Sequence, residues 1–195
     1  MSLPEEWLRY VSVDVEAAGP DPADFALLSI GACLVSQPSV AFYVELQPDR
    51  QAVDAEALAV SGLSLERLAA EGLPPEIALR NWQDWLAREV PSDGPPVLVA
   101  FNAPFDWLFV HSYFLRYFGH NPFGHSALDI KAFAMARLGL TWGETSFGAL
   151  AARFSLPETL AHQALADAQD QARLLQALLN YSEGGPGRLS PAQGD

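Results

Sequence analysis

Residues 11–20 read VSVDVEAAGP, a valine-rich run that is typical of a buried β-strand. Side chains alternate between the two faces of a strand, so Asp14 and Glu16 point the same way. No basic residue lies within the run. Two neighbouring like charges on an apolar strand are unfavourable unless a cation binds there or the strand lies at a solvated edge. The fold must therefore bring a cation or water to these two carboxylates.

The chain has 195 residues, of which 50% are hydrophobic and 18% charged. This length and composition predict one domain with a sizeable core. We expect this single domain to cover residues 1–182, and residues 183–195 to form a flexible C-terminal tail because they are rich in Gly, Pro and Ser. Cys33 is the only cysteine, which excludes a disulfide framework and a cysteine zinc cluster. We expect it to be a small buried hydrophobic residue.

The N-terminal residues and the hydropathy pattern predict a cytoplasmic protein that does not enter a membrane. No apolar run is long enough to predict a transmembrane helix. The first ten residues lack the basic and then apolar pattern of a signal peptide. The net charge of -13 argues against a surface that grips a long nucleic acid, so such a substrate would be held locally by metal ions and a few arginines.

Hydrophobic periodicity predicts a sheet covered by helices. Strands are predicted at 8–17, 27–36, 40–46, 97–101 and 127–130, and helices at 54–59, 64–70, 75–89, 103–119, 131–139, 146–154 and 164–181. Ser146 is expected to cap the helix at 146–154, and Gly119 to end the helix at 103–119. The short segment 37–39 favours a hairpin between the second and third strands, whereas later strands alternate with helices. The predicted fold class is α/β, with a mixed five-stranded sheet that has a three-strand antiparallel part and parallel strands.

Two further acids lie where a hydrophobic core would not place them. Asp106 falls in the first turn of the helix that follows strand 97–101, and Asp167 lies early in the final helix. Sites in sheets with parallel strands form beyond the carboxyl ends of the strands, so these acids and the pair on the first strand should converge. Oxygen ligands without a base favour Mg²⁺, or Mn²⁺ as a substitute, over zinc. Two ions about 3.5–4 Å apart would suit a phosphoryl transfer.

His162 precedes Asp167 by five residues. Within one continuous helix the two side chains would lie about 140° apart around the axis. They can share a site only if His162 lies just before the helix, which the loop-like residues from Pro157 onwards permit. A histidine in that position could act as a general base near neutral pH.

The order of DVE at 14–16, NAPFD at 102–106 and HQALAD at 162–167 resembles the DEDDh 3′–5′ exonucleases. These are ribonuclease H-like enzymes that include polymerase proofreading subunits and ribonuclease T. The resemblance covers about residues 7–181 and implies a ribonuclease H-like fold. It also implies that Asp14 bridges two Mg²⁺ ions, that Glu16 and Asp167 complete the tighter ion, and that Asp106 holds the second ion largely through water.

The resemblance implies roles for residues around the metal site as well. His162 would be the general base, and Ala17 and Ala18 would place backbone groups against the terminal nucleotide. Asn102 would brace the second motif, and Phe105 would either stack on a base or pack in the core. Many relatives have Thr where this chain has Ala17, so a side-chain hydroxyl is missing there. Several other aromatic residues are expected mainly in the core, namely Phe25, Trp82, Trp85 and Phe147.

The activity implied is removal of nucleoside 5′-monophosphates from the 3′ end of single-stranded DNA or RNA, by two-metal-ion hydrolysis. Alternatives within the class are an oligoribonuclease-like enzyme or an RNA-trimming exoribonuclease, which the acidic surface favours because it repels long polyanions. Alternatives outside it are a non-catalytic nucleic-acid-binding module and a protein that docks through the tryptophan-rich segment 75–89. A homodimer or a polymerase partner is also compatible with the sequence.

Overall fold

The computed structural model of the protein describes residues 5–182. Its centre is one five-stranded sheet in the order β3-β2-β1-β4-β5. The strands are β1 (Tyr10–Ala17), β2 (Leu27–Leu34), β3 (Gln37–Glu45), β4 (Val97–Ala100) and β5 (Ala127–Asp129). The first three strands pair antiparallel, and β4 and β5 run parallel to β1. The predicted mixed sheet is confirmed, whereas the predicted tail at 183–195 lies outside the described residues.

Helices cover the sheet and begin at residues that the sequence marks. They are α1 (Ala55–Ser61), α2 (Leu65–Glu71), α3 (Pro75–Glu89), α4 (Pro104–Phe118), α5 (Ile130–Leu138), α6 (Phe147–Arg153) and α7 (Ala164–Asn180), with 3-10 helices at Glu5–Arg9 and Trp142–Glu144. The Ser146 side chain accepts a hydrogen bond from the Ala149 amide, which confirms it as the cap of α6. Gly119, at φ 71°, ends α4 as predicted. None of the described helices has the length and apolar character needed to cross a membrane.

The predicted ends of several strands were wrong. Gln37 pairs with Leu34, so β3 begins at Gln37, and the turn consists of the two residues before it rather than of 37–39. Two-residue turns are favoured in hairpins because their twist matches that of the strands. Leu8 and Arg9 belong to a 3-10 helix and not to β1. Ile130 begins α5 instead of ending β5, because the Asp129 side chain caps that helix.

The two faces of the sheet have different roles. The valines of β1, at positions 11, 13 and 15, pack in the main core with α3 and α4. Trp82 and Trp85 are buried in this core, which confirms their predicted packing role and removes the tryptophan face on which docking through segment 75–89 depends. The opposite face of β1 carries Asp14 and Glu16 towards α7, and Cys33 is buried there as predicted.

Gly31 in β2 sets how closely α7 approaches the sheet. It pairs directly with Asp14 of β1, so the two residues point to the same face. A Cβ atom at position 31 would lie 2.2 Å from the main-chain carbon of Ala164, the first residue of α7. Only a residue without a side chain lets the start of α7 lie against β2 beside Asp14.

We predict that Gly31→Ala lowers the free energy of unfolding by about 1–3 kcal/mol, because the added methyl group must push the main chain of α7 outward. Urea unfolding followed by circular dichroism measures this change. Gly143→Ala is the matched control, since a Cβ there meets no atom within 4 Å. Equal loss of stability in the two variants would contradict the close approach of α7 to β2.

Candidate active site

Three carboxylates converge at the C-terminal end of β1. One oxygen atom from each of Asp14, Glu16 and Asp167 lies within 4.8 Å of the other two. The first two residues project from the same face of β1, and Asp167 comes from the first turn of α7. None of the arginine–carboxylate pairs among the described residues includes these three side chains. Within the described residues, no arginine in a salt bridge therefore balances their mutual repulsion.

Asp106, the fourth predicted ligand, is buried in the first turn of α4 at the same end of the sheet. Its Oδ1 accepts a hydrogen bond from the Val15 amide at 3.0 Å, which ties it to β1 between Asp14 and Glu16. It is not one of the three side chains whose oxygens converge. A cation held by the other three would therefore be reached from Asp106 through water or through its second oxygen.

Burial shifts the proton equilibria of the four carboxyl groups in one direction. It raises the pKa of Glu16 to about 7 and that of Asp106 to about 8. The pKa of Asp14 is raised well above its ordinary value, first by burial and then by repulsion from Asp106, Glu16 and Asp167. Burial also raises the pKa of Asp167. Ionised carboxylates are unfavourable here without a cation, and oxygen-only donors fit a hard divalent ion such as Mg²⁺ or Mn²⁺.

We predict that the metal-depleted protein becomes less stable as the pH rises from about 5 to about 8. The folded state holds protons on Glu16 and Asp106 up to about 7 and about 8, whereas an unfolded chain releases them near their ordinary values of about 4. The folded state thus binds more protons in this window, so the free energy of unfolding falls as pH rises. Thermal melts in a chelator, at fixed ionic strength, measure the trend.

Asp106→Asn should weaken this pH dependence because one buried carboxyl group no longer titrates. Glu66→Gln, which changes an exposed carboxylate of α2, is the control and should keep it. Addition of a divalent ion should restore stability most at the higher pH, where the carboxylates are more easily ionised. A melting temperature that rises with pH in chelator would contradict the described burial of these groups.

His162 lies in the loop between α6 and α7, two residues before the helix begins. This is the position that the sequence required if His162 and Asp167 were to share a site. The loop folds back because the Ala161 amide donates a hydrogen bond of 2.7 Å to Asp167, and His162 itself has a left-handed φ of 53°. The exposed imidazole lines a cavity of about 430 Å³ together with Glu16.

Two of the four predicted substrate-binding residues line a second cavity, which Glu16 also lines. Ala17 and Phe105 line a cavity of about 320 Å³ there, and the Phe105 side chain is 37% exposed. The Ala18 amide donates to Ala26, and its carbonyl accepts from Asp54, so both of its backbone groups are engaged within the protein. Asn102 forms a tight turn at φ 62° with an exposed side chain.

Asp129 fixes the position of this turn. Its Oδ2 accepts a hydrogen bond from the Ala103 amide and its Oδ1 one from the Ala132 amide, both at 2.6 Å. One carboxylate thus caps α5 and also ties the second motif to the end of β5. The sequence does not reveal this double contact.

Gln171 is a buried residue of α7 that the sequence reasoning missed. Its Nε2 donates a hydrogen bond to Oδ1 of Asp14 at 2.7 Å, and its Oε1 accepts one from the Phe101 amide at 2.9 Å. The amide group therefore connects α7, the central carboxylate and the end of β4. Its spacing of four residues from Asp167 puts both on one helix face, which is the signal that could have identified it.

We predict that Gln171→Leu weakens Mn²⁺ binding by about 10- to 100-fold, the range for loss of a residue that orients a metal ligand. Unfolding free energy should also fall by about 1–3 kcal/mol because the Phe101 amide loses its acceptor. Calorimetric Mn²⁺ titration and urea unfolding measure the two effects. Gln176→Leu is the control, since Gln176 donates to the Val35 carbonyl, away from the carboxylates. Unaltered Mn²⁺ affinity in Gln171→Leu would exclude an orienting role.

Phe147 and two of the histidines, His111 and His120, pack against aromatic rings outside the acidic cluster. Phe147 is buried and meets the Phe101 ring edge-on, with ring centroids 5.4 Å apart. The His111 ring stacks on Trp107, and the ring of His120 lies edge-on to Phe118. Within residues 5–182, the converging set of potential ligands contains acids alone and no histidine.

Comparison of the whole sequence with known protein families agrees with the character of the acidic site. Residues 11–175 match the family described as RNase_T: Exonuclease. The chain belongs to this exonuclease family, in which the order of its acidic and histidine motifs makes it a 3′–5′ exonuclease of the DEDDh type. It is therefore an enzyme that hydrolyses phosphodiester bonds.

One relative in sequence is the 3'-5' DNA exonuclease Cap18 of Escherichia coli. The two chains are 42% identical over 175 residues, which cover 89% of this chain and 93% of that protein.

Solved structures of nucleases share the fold. The nuclease domain of 3'hExo, a DEDDh family member bound to rAMP, superposes with a TM-score of 0.71 at 12% identity, over 87% of this chain and 90% of that one. Cell-death related nuclease 4 gives 0.71 at 17% identity, over 88% of this chain and 63% of that one. Escherichia coli exonuclease I with a dT13 oligonucleotide gives 0.64 at 18% identity, over 87% and 40%. The predicted ribonuclease H-like fold is confirmed.

Proposed function

We propose that this exonuclease removes nucleoside 5′-monophosphates from the 3′ end of single-stranded DNA in a divalent-metal-dependent reaction. The observation that carries the proposal is the convergence of three acidic side chains beside a cavity that His162 also lines. DNA is favoured as the substrate because a relative that is 42% identical is named a DNA exonuclease. The product type follows from attack by water on the last phosphodiester bond of the strand.

The acidic residues would hold two divalent ions, which we expect to be Mg²⁺. When bound, such ions supply positive charge to the attacking and leaving oxygens of an in-line displacement. Asp14, Glu16 and Asp167 supply the converging oxygens, and Gln171 orients Asp14 by its hydrogen bond. Asp106 would act from a fixed position, since one of its oxygens accepts from the Val15 amide.

His162 would act as the general base. Its imidazole would take a proton from the attacking water and then release it to solvent, to which the side chain is exposed. As the water oxygen bonds to phosphorus, the bond from phosphorus to the 3′ oxygen breaks. The leaving oxygen takes a proton from solvent and becomes the 3′ hydroxyl of the shortened strand. The backbone turn at His162 keeps the ring outside α7. If α7 continued through His162, the helix would point the ring away from Asp167.

The terminal nucleotide would lie on the opposite side of Glu16 from His162. The cavity there is lined by Ala17 and by the half-exposed ring of Phe105, on which a base can stack. Ala17 lines this cavity, so backbone contact with the nucleotide is proposed first for Ala17, whereas both backbone groups of Ala18 already have partners within the protein. Asn102, which is exposed beside this cavity's Phe105, would contact the sugar or the base.

We predict that the protein with Mg²⁺ shortens 5′-labelled single-stranded DNA from its 3′ end as a ladder. Asp14→Asn should abolish the ladder, and His162→Ala should slow it by about 10²–10⁴-fold, as expected for loss of a general base. His125→Ala is the matched control because His125 is an exposed loop histidine outside the acidic cluster. Internal cleavage, or equal rates for His162→Ala and His125→Ala, would contradict the proposed mechanism.

The pH profile gives a second measure of the same variants. A histidine base must be neutral to accept a proton, so the single-turnover rate should rise as the pH increases from acidic to neutral values. This rise should be weakened in His162→Ala and retained in His125→Ala. A profile that does not change between the two variants would exclude His162 as the group responsible.

A second candidate is an enzyme for short oligonucleotides, including RNA. The net charge of -13 favours it because an acidic surface repels a long polyanion. The same assay with labelled RNA, duplex DNA and oligonucleotides of several lengths distinguishes the two. A higher kcat/KM on short RNA than on single-stranded DNA would favour this candidate over the first.

A further inference from the structure

Trp142 and Lys131 form an exposed pair that the proposed mechanism does not use. The Lys131 Nζ lies 3.9 Å from the centroid of the Trp142 ring, within the range of a cation–π contact. Lys131 is the only lysine of the chain. The Trp142 side chain is 56% exposed, the highest fraction among the large hydrophobic residues that the structure describes. A tryptophan held in solvent beside an ammonium group calls for a binding role.

Hydrogen bonds hold Trp142 in this exposed position. It begins the 3-10 helix Trp142–Glu144. The Glu144 carboxylate caps the start of this helix, because it accepts hydrogen bonds from the Thr141 amide at 2.8 Å and from the Thr141 hydroxyl at 2.7 Å. The Thr145 hydroxyl donates to the Trp142 carbonyl at 2.7 Å. The negative charge nearest to the indole in sequence is therefore engaged in capping. A rigid aromatic platform is expected from this arrangement.

The pair lies near the end of the sheet at which β1 carries the proposed catalytic carboxylates. Lys131 is the second residue of α5, which follows β5 without a loop. Asp129 at the end of β5 pairs with Ala100 of β4, and β4 pairs with β1. The register places Asp129 level with Val13, the residue before Asp14, so the end of β5 lies about 10 Å from β1 across two strand spacings. Asp129 also holds the Ala103 amide, which connects this edge to the turn that precedes Phe105.

We propose that Trp142 and Lys131 form a subsite for the single strand upstream of the scissile phosphate. A base stacks on the exposed surface of the indole, and the ammonium group contacts a backbone phosphate. This inference rests on the proposed function, because its ligand is the same nucleic-acid strand. It accounts for how a protein with a charge of -13 holds a polyanion, since one lysine on an aromatic platform supplies local attraction.

The test compares a dinucleotide, the shortest strand that contains a scissile bond, with a long oligothymidylate. In Trp142→Ala, the KM for the long strand should rise about 5- to 100-fold more than the KM for the dinucleotide, the range for loss of one base–aromatic stack. Lys131→Gln should act in the same direction, and its effect should shrink at high salt. Trp142→Phe should recover most of the long-strand KM because it restores an aromatic face.

Two controls separate a subsite from general effects. Trp7→Ala removes a half-buried tryptophan from the 3-10 helix Glu5–Arg9, and Arg88→Ala removes an exposed cation from α3. Neither should change the ratio of the two KM values. An equal rise of KM on both substrates in Trp142→Ala, or a ratio that Trp142→Phe does not recover, would overturn the subsite.

Binding without cleavage distinguishes failure of the subsite from failure of the proposed function. Fluorescence anisotropy of a labelled oligothymidylate in chelator should show weaker binding to Trp142→Ala than to Trp142→Phe. If the unaltered protein cleaves neither substrate, the proposed function is contradicted, and the anisotropy measurement still decides the subsite. Equal affinity of Trp142→Ala and the unaltered protein for the strand would overturn the subsite whether or not cleavage occurs.

Discussion

Repulsion between buried carboxylates is the constraint around which this exonuclease is built. The central strand β1 carries Asp14 and Glu16 on one face near its C-terminal end, and α7 adds Asp167. Neutral hydrogen-bond donors contact these carboxylates: the Gln171 side-chain amide donates to Asp14, and the Ala161 backbone amide donates to Asp167. Neutral donors hold the oxygens in place without adding positive charge, so the site remains suited to a divalent cation. An arginine in the same place would hold the oxygens and cancel that affinity.

Most of the fold could be predicted from local patterns. The alternation of apolar residues identified five strands, and capping residues such as Ser146 and Gly119 located helix ends. The face that Asp14 and Glu16 share followed from the period of a strand alone. Membership of the family followed from three separated motifs, which a family match over residues 11–175 confirms. The position of His162 outside α7 also followed from helical geometry, since only that position allows it to approach Asp167.

What the sequence did not predict depends on contacts between distant segments. The spacing of Gln171 from Asp167 places it on the site face of α7 but does not reveal its two bonds, which join α7 to β1 and to the end of β4. The need for glycine at position 31 becomes visible only when the main chain of Ala164 lies against it. The hairpin turn was misplaced because Pro38 was taken as part of a loop, yet it lies in β3 at the sheet edge, where a missing amide donor is tolerated.

The cavities beside Glu16 form a cleft with His162 on one side and Phe105 on the other. The two hydrogen bonds to Asp129 make the Phe105 side more rigid than the His162 side. On the side of Phe105, one carboxylate fastens both the second motif and the start of α5, so that wall moves only together with a helix. On the side of His162, the loop is joined to Asp167 by the Ala161 amide and has no helix of its own. Opening and closing of the cleft during turnover are therefore expected on the histidine side. If His162 is the general base as proposed, the same segment would both time the release of each nucleotide and start the next cycle.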